Sequence, residues 1–250
     1  MPAPLPAVFL DRPVAHRGLH GPGVPENSLA AARAAIVAGY GIELDIQPSA
    51  SGQALVFHDY DLARLTGQRG FIHDRDGDDL AALRLMGSDQ AVPTLRAFLD
   101  LVAGQVPLLI EIKDQDTRLG PNIGALHQAV ADDLAGYDGP VAVMSFNPHV
   151  VAGFHALAPQ IACGLTTCGY TADDWPMIDA ARRAHLAEIA DFDASGSSFV
   201  SHDHADLDNP AVAALKTRGV PVLCWTIRSK AQEAAARRIA DNITFEGYAA

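Results

Sequence analysis

The sequence is short of basic charge: 18 lysines and arginines stand against 30 aspartates and glutamates, a formal net charge of −12. No basic stripe is available to release counterions from a phosphate backbone, which disfavours broad nucleic-acid binding. An anionic small substrate is not excluded, because a bound cation inverts the local field. Cysteine is scarce as well. Cys163, Cys168 and Cys224 are odd in number and lack metal-type spacing, which argues for free thiols in a reducing compartment. No apolar run is long enough to span a bilayer, and the opening MPAPLPAVFLDRP lacks the basic start and apolar stretch of a signal peptide. The expectation is a cytoplasmic protein. The glycines between Gly18 and Gly23 match neither a dinucleotide fingerprint nor a P-loop, and no serine has a nucleophile-elbow setting.

What is present is a regular alternation. The 250 residues, 49% hydrophobic and 19% charged, form an ordinary globular composition that can bury a large core as one domain, residues 1–250. Residues 1–12 are expected as an extended Pro/Ala-rich arm. Strands are expected at 13–16, 41–46, 107–113, 141–145, 161–165, 198–201, 220–227 and 242–245. Helices are expected at 27–38, 93–103, 122–134, 148–157, 173–190, 210–218 and 230–239. Asn27 or Ser28 would cap the first helix, Gly39 would stop it, and Leu29, Ala32, Ala35 and Ile36 would form its buried stripe. Eight strand–helix units in order predict an α/β fold closed as a (β/α)8 TIM barrel. Residues 47–92, with a small strand at 54–58, break the rhythm and are expected as an insertion after the second strand, placed to act as a lid.

In such a barrel the chemistry lies at the C-terminal ends of the strands. In Gly41-Ile42-Glu43-Leu44-Asp45-Ile46 the two acids share one strand face and the apolar residues the other. Glu111-Ile112-Lys113 repeats the pattern. Glu43, Asp45 and Glu111 thus offer three carboxylates from adjacent strands, a hard oxygen set for one divalent cation, Ca²⁺ or Mg²⁺. The rival reading is a structural ion pair with Lys113, but inward charges in a barrel are costly unless paired or metal-bound. His16 and His58 flank this set in polar settings and are the candidate proton carriers. Arg17 and Lys113 would neutralise an anionic substrate. His127, His149, His155 and His185 sit in helical or polar stretches without evident partners and read as structural. His202 and His204 follow strand six, and Glu246 follows strand eight. The two histidines are either substrate contacts or, more simply, solvated. Cys163 and Cys224 read as core, whereas Trp225 is equally a pocket wall or core.

The set His16-Arg17-Gly18, Pro25-Glu26-Asn27-Ser28, Glu43-Leu44-Asp45, His58-Asp59 with Leu62, Arg64 and Thr66, Glu111-Ile112-Lys113 and Cys224-Trp225-Thr226 resembles the glycerophosphodiester phosphodiesterase family, over nearly the whole chain. The resemblance implies a barrel that hydrolyses glycerophosphodiesters to sn-glycerol 3-phosphate and an alcohol. It implies a cation on Glu43, Asp45 and Glu111, acid–base catalysis by His16 and His58, substrate contacts from Arg17 and Lys113, and a glycerol pocket lined by Trp225. The end of strand eight, Ile243-Thr244-Phe245-Glu246-Gly247, departs from the family's usual Thr-Asp. Ser201-His202-Asp203-His204 matches no family role. Two rival functions remain: a lysophospholipid-directed phosphodiesterase, disfavoured because no exposed apolar anchor is evident, and a catalytically silent barrel that binds phosphodiesters. A silent binder has no need of two proton carriers.

Overall fold

The computed structural model describes residues 2–250; Met1, the first residue of the expected arm, lies outside them. Eight parallel strands close the barrel: β1 (Val14–Ala15), β2 (Gly41–Pro48), β4 (Leu108–Ile112), β5 (Val141–Ser145), β6 (Ala162–Thr167), β7 (Phe199–Asp203), β8 (Val222–Ile227) and β9 (Asn242–Phe245), with β1 paired to both β2 and β9. A ninth strand, β3 (Ala54–Val56), runs antiparallel along the end of β2. The helices are α1 (Val8–Asp11), α2 (Leu29–Ala38), α3 (Ala63–Thr66), α4 (Gly77–Ala82), α5 (Leu95–Val102), α6 (Leu126–Leu134), α7 (Pro148–Leu157), α8 (Ala180–Ala187), α9 (Pro210–Thr217) and α10 (Lys230–Ala236).

The period of two along each strand sorts the residues into two layers. Ile42, Leu44 and Ile46 of β2, Ile110 and Ile112 of β4, and Cys163 and Cys224 face outward, into the apolar layer beneath the helices. Leu109, Ala142, Met144, Ala162, Phe199 and Leu223 point into the lumen and fill its lower part. The three cysteines are free and buried, and burial pushes the thiols up to about 11, 11 and 12 for Cys163, Cys168 and Cys224. They are packing groups, as expected of Cys163 and Cys224.

Several elements differ from the sequence reading. The N-terminal arm is not extended: it turns into α1, whose Phe9 is fully buried and joins Leu5 in closing the floor of the lumen. Asn242 of β9 holds this plug by donating to the carbonyls of Phe9 (2.7 Å) and Arg12 (2.6 Å). In α2 the fully buried residues are Ala31, Ala32 and Ala35, while Leu29 and Ile36 are only partly covered. Pro93 lies outside α5, because its carbonyl accepts the Val56 amide of β3 (2.8 Å) and Thr94 provides the cap. The helix expected over 122–134 begins only at Leu126, after Gly124 with φ +60°. The helix expected over 173–190 is confined to α8. Pro176 disfavours helical backbone at Trp175, and Asp179 caps the helix that follows. Residues 171–178 instead form a loop over the mouth of the barrel, where Trp175 packs on Phe146 and Tyr170 (5.2 Å to each ring centroid).

Between β3 and α5 the chain builds a small apolar cluster of its own, from Leu55, Phe57, Leu62, Ile72, Leu80, Leu85 and Val92. That cluster holds the residues after β2 beside the C-terminal mouth without their joining the main core.

Candidate active site

The pairing of β2 with β4 sets Asp45 directly beside Glu111, with Glu43 two residues earlier on the same inward face. One carboxylate oxygen from each of Glu43, Asp45 and Glu111 lies within 4.8 Å of the others, and all three residues are buried. Local backbone aims the neighbouring groups at them. Arg17 adopts φ +55°, and its amide donates to Glu43 Oε2 at 2.9 Å. Gly18, with φ +78°, packs so tightly on α2 that a Cβ would stand 2.8 Å from that of Ala31. Only glycine fits there, which accounts for its place after His-Arg. Asn27, φ +56°, donates from Nδ2 to Asp45 Oδ2 (2.9 Å). Ser28 caps α2 by accepting from the Ala31 amide (3.1 Å). Lys113 Nζ bridges Glu111 Oε1 (2.5 Å) and Asp45 Oδ1 (2.6 Å).

Three carboxylates in one buried space cannot all stay ionised against so few cations. Burial, then the charges of Asp45 and Glu111, pushes the Glu43 carboxyl well above the usual carboxylate range. Burial acts in the same direction on Asp45, but the cations around it, Lys113 foremost, hold its carboxyl far below. Of the three, Glu43 is thus the carboxyl most disposed to hold a proton, and Asp45 is the anion paired with Lys113. A cluster of three buried oxygen donors fits a hard divalent cation, and its lack of nitrogen or sulfur disfavours zinc.

The two histidines are built alike. His16 Nδ1 lies 2.6 Å from Glu246 Oε2, and His58 Nδ1 lies 2.7 Å from Asp59 Oδ1. An ionised carboxylate only accepts, so each Nδ1 carries a proton, which leaves each Nε2 as the nitrogen that can take or give one. His16 Nε2 is 4.0 Å from Glu43 Oε2. Burial holds the His16 imidazole below its ordinary range, against the pull of Glu246. The carboxylates are themselves braced. Arg64 grips Asp59 (2.6 and 2.9 Å) and Glu26 (2.8 Å to each oxygen), and Glu26 accepts from Arg17 (2.6 Å). Arg228 Nε holds the far oxygen of Glu246 at 2.7 Å.

All eight residues singled out from the sequence line one cleft of about 170 Å³: His16, Arg17, Glu43, Asp45, His58, Glu111, Lys113 and Trp225. Trp225 is half-buried, edge-on to Phe146 at 5.5 Å, and fixed by its indole N–H on the Ser201 carbonyl (3.0 Å). It is a wall of the cleft. The part played by Glu246 was missed, although its position after the last strand marked it. Two histidine readings change. His202 is not solvated but fully buried, between Thr167 Oγ1 (2.7 Å) and Asp206 (3.0 and 3.1 Å). His185 has a partner after all, Asp191 at 2.9 Å. The supposed lack of an exposed apolar anchor also fails: Phe71 (48% exposed) and Met177 (59%) both line a cavity that adjoins the cleft. No helix among the described residues is long and apolar enough to cross a membrane.

Known proteins resemble the chain throughout. A glycerophosphodiester phosphodiesterase from Caldanaerobacter subterraneus subsp. tengcongensis is 28% identical over 227 residues, covering 87% of this chain and 86% of its own. One from Bacillus altitudinis is 29% identical over 162 residues, 61% of this chain and 65% of its own. Among solved structures, an Oleispira antarctica phosphodiesterase in complex with the product sn-glycerol-3-phosphate shares the fold with a TM-score of 0.76 at 22% identity, over 96% of this chain and 94% of its own. A glycerophosphodiester phosphodiesterase from Parabacteroides distasonis does so with a TM-score of 0.74 at 21% identity, over 94% and 92%. The model of the glycerophosphoryl diester phosphodiesterase family matches residues 16–243, from His16 to the last strand, and the chain belongs to that family.

Proposed function

We propose that the protein hydrolyses glycerophosphodiesters to sn-glycerol 3-phosphate and an alcohol, with one divalent cation, Ca²⁺ or Mg²⁺, held by Glu43, Asp45 and Glu111. The observation that carries the reading is the pair of imidazoles, each fixed at Nδ1 by a carboxylate, lining the same cleft as three buried carboxylates. A binding protein needs no such pair. When bound, the cation supplies positive charge to a phosphate oxygen and to the charge that develops there. His16, kept neutral by burial, takes the proton from the attacking oxygen at Nε2, and Glu246 stabilises the imidazolium that forms. His58, backed by Asp59, gives a proton to the departing alkoxide. Lys113 and Arg17 add fixed positive charge beside the phosphate, and Trp225 offers an apolar wall to the glycerol carbons. We read residues 1–250 as one domain in which 47–92 is an insertion bordering the substrate. The free, buried cysteines support a reducing, cytoplasmic setting.

The test is release of sn-glycerol 3-phosphate from glycerophosphocholine and glycerophosphoethanolamine by metal-stripped protein given Mg²⁺, Ca²⁺ or EDTA. Release with a divalent ion and none in EDTA is expected. A folded protein that releases nothing with either ion would remove the reading.

A further inference from the structure

The reactive cleft does not end at His58. A larger cavity, about 760 Å³, opens beyond it and shares His58, Glu111, Lys113 and Phe146 with the cleft. Its two rims come from different parts of the chain. Phe71, between β3 and α4, stands on one side; Trp175, Met177 and Ile178, between β6 and α8, stand on the other. Phe71 and Met177 are two of the few large apolar side chains left in solvent. Exposed apolar groups scattered singly carry no message, but these two border one cavity.

Several of the carboxylates that line this cavity have partners within the protein. Asp59 is held by His58 and Arg64, and Asp61 accepts from the Ala63 amide (2.7 Å). Asp114 accepts from Asn147 (2.7 Å) and the Leu119 amide (3.2 Å), and Asp174 from Thr171 (2.7 Å). Most of the surface left to meet a ligand is hydrocarbon and aromatic. Volume points the same way. The cleft of about 170 Å³ suits a phosphate and a three-carbon polyol, whereas cavities of roughly 300–1,000 Å³ hold ligands of drug size. A two-carbon head group would leave the larger space to water against apolar walls.

We infer that this groove is the subsite for the alcohol arm of the diester, and that the arm it accepts is an alkyl chain. The inference rests on the hydrolase reading. It also explains the division of labour between the histidines, because His58 stands at the junction of cleft and groove, beside the oxygen that leaves with that arm.

The experiment is a chain-length series: kcat/KM for glycerophospho-n-alkanols from ethyl to octyl, with glycerophosphocholine alongside, in wild type and in Phe71→Glu and Met177→Glu. Burial of a methylene is worth about 0.8 kcal/mol, roughly fourfold; in an open groove the expected rise is about two- to fourfold per added methylene. Each variant should flatten that slope, lowering the octyl-to-ethyl ratio by about tenfold or more. A series flat to within twofold, a choline ester preferred over the octyl ester, or an unchanged slope in both variants would overturn the inference. If no diester of any kind is cleaved, the hydrolase reading fails and the groove is judged separately. Saturable change in tryptophan fluorescence with octyl phosphate, weaker with ethyl phosphate and lost in Met177→Glu, would sustain the alkyl site, and equal responses to the two phosphates would refute it.

Discussion

Glu246 reaches His16 across the whole length of the chain and fixes its proton on Nδ1 through one short bond (2.6 Å). A glutamine there presents an N–H₂ that drives the proton to Nε2, the wrong nitrogen for a base. Glu246→Gln is therefore expected to lower kcat by about 10²–10⁴-fold, as loss of an orienting carboxylate does elsewhere, with circular dichroism unchanged. A loss below threefold would contradict the role. Glu43 makes a second prediction. Its folded carboxyl lies above its unfolded value, so between the two the native state binds more protons than the unfolded one. By linkage that contribution to stability is complete below the unfolded range and is lost as pH rises through the folded one. Asp45 is shifted down and acts in the opposite window, losing its contribution only in strong acid. A cation bound by Glu43 would displace a proton held there. The rise in Tm on adding Ca²⁺ or Mg²⁺ to stripped protein should thus be larger at pH 8 than at pH 5. An equal rise at both would show that no proton is displaced.

At the scale of elements, the loop after β1 is set by its packing on α2. Gly18→Ala combines a left-handed backbone with a Cβ 2.8 Å from Ala31, and an L side chain in that region costs roughly 1–3 kcal/mol. The Tm should fall by at least about 3 °C, and metal affinity should fall with it, because Arg17 aims its amide at Glu43 from the same turn. A variant as stable and as metal-avid as wild type would detach the loop from the site. The same elements show what the sequence made legible. Alternation along β2 and β4 told which face of each strand holds the acids, because a period of two leaves no third choice. The bounds of α7 and β9 were legible, and of the two caps the sequence offered for α2, Asn27 or Ser28, the structure uses Ser28. Illegible were features that depend on distant partners. Pro93 pairs with β3, residues 171–178 fold over the mouth instead of joining α8, and His202 is buried by Thr167 and Asp206. Glu246 was visible as a rim residue, but its bond to a histidine 230 positions away has no local signature.

The whole molecule is a barrel with an apolar lower lumen, a charged upper layer and a plug beneath. The plug is the chain's own N-terminal turn. Phe9 is fully buried there, and Phe9→Ala should cost about 3–5 kcal/mol while leaving KM unchanged, since the lumen residues between it and the carboxylates stay in place. A large change in KM without loss of stability would mean that the floor shapes the site directly. The charged layer gathers residues of β2, β4 and β8 and of the segments after β1, β3, β4 and β8 into one cleft, with Glu246, after β9, holding His16, and the function rests on that cleft. Turnover of glycerophosphocholine by His16→Ala and His58→Ala, each measured beside wild type with metal binding followed in the same preparations, tests it most directly. The account predicts that each variant folds, binds the cation within a few-fold of wild type, and releases sn-glycerol 3-phosphate on the order of 10³-fold more slowly. Near-wild-type release by both would contradict it.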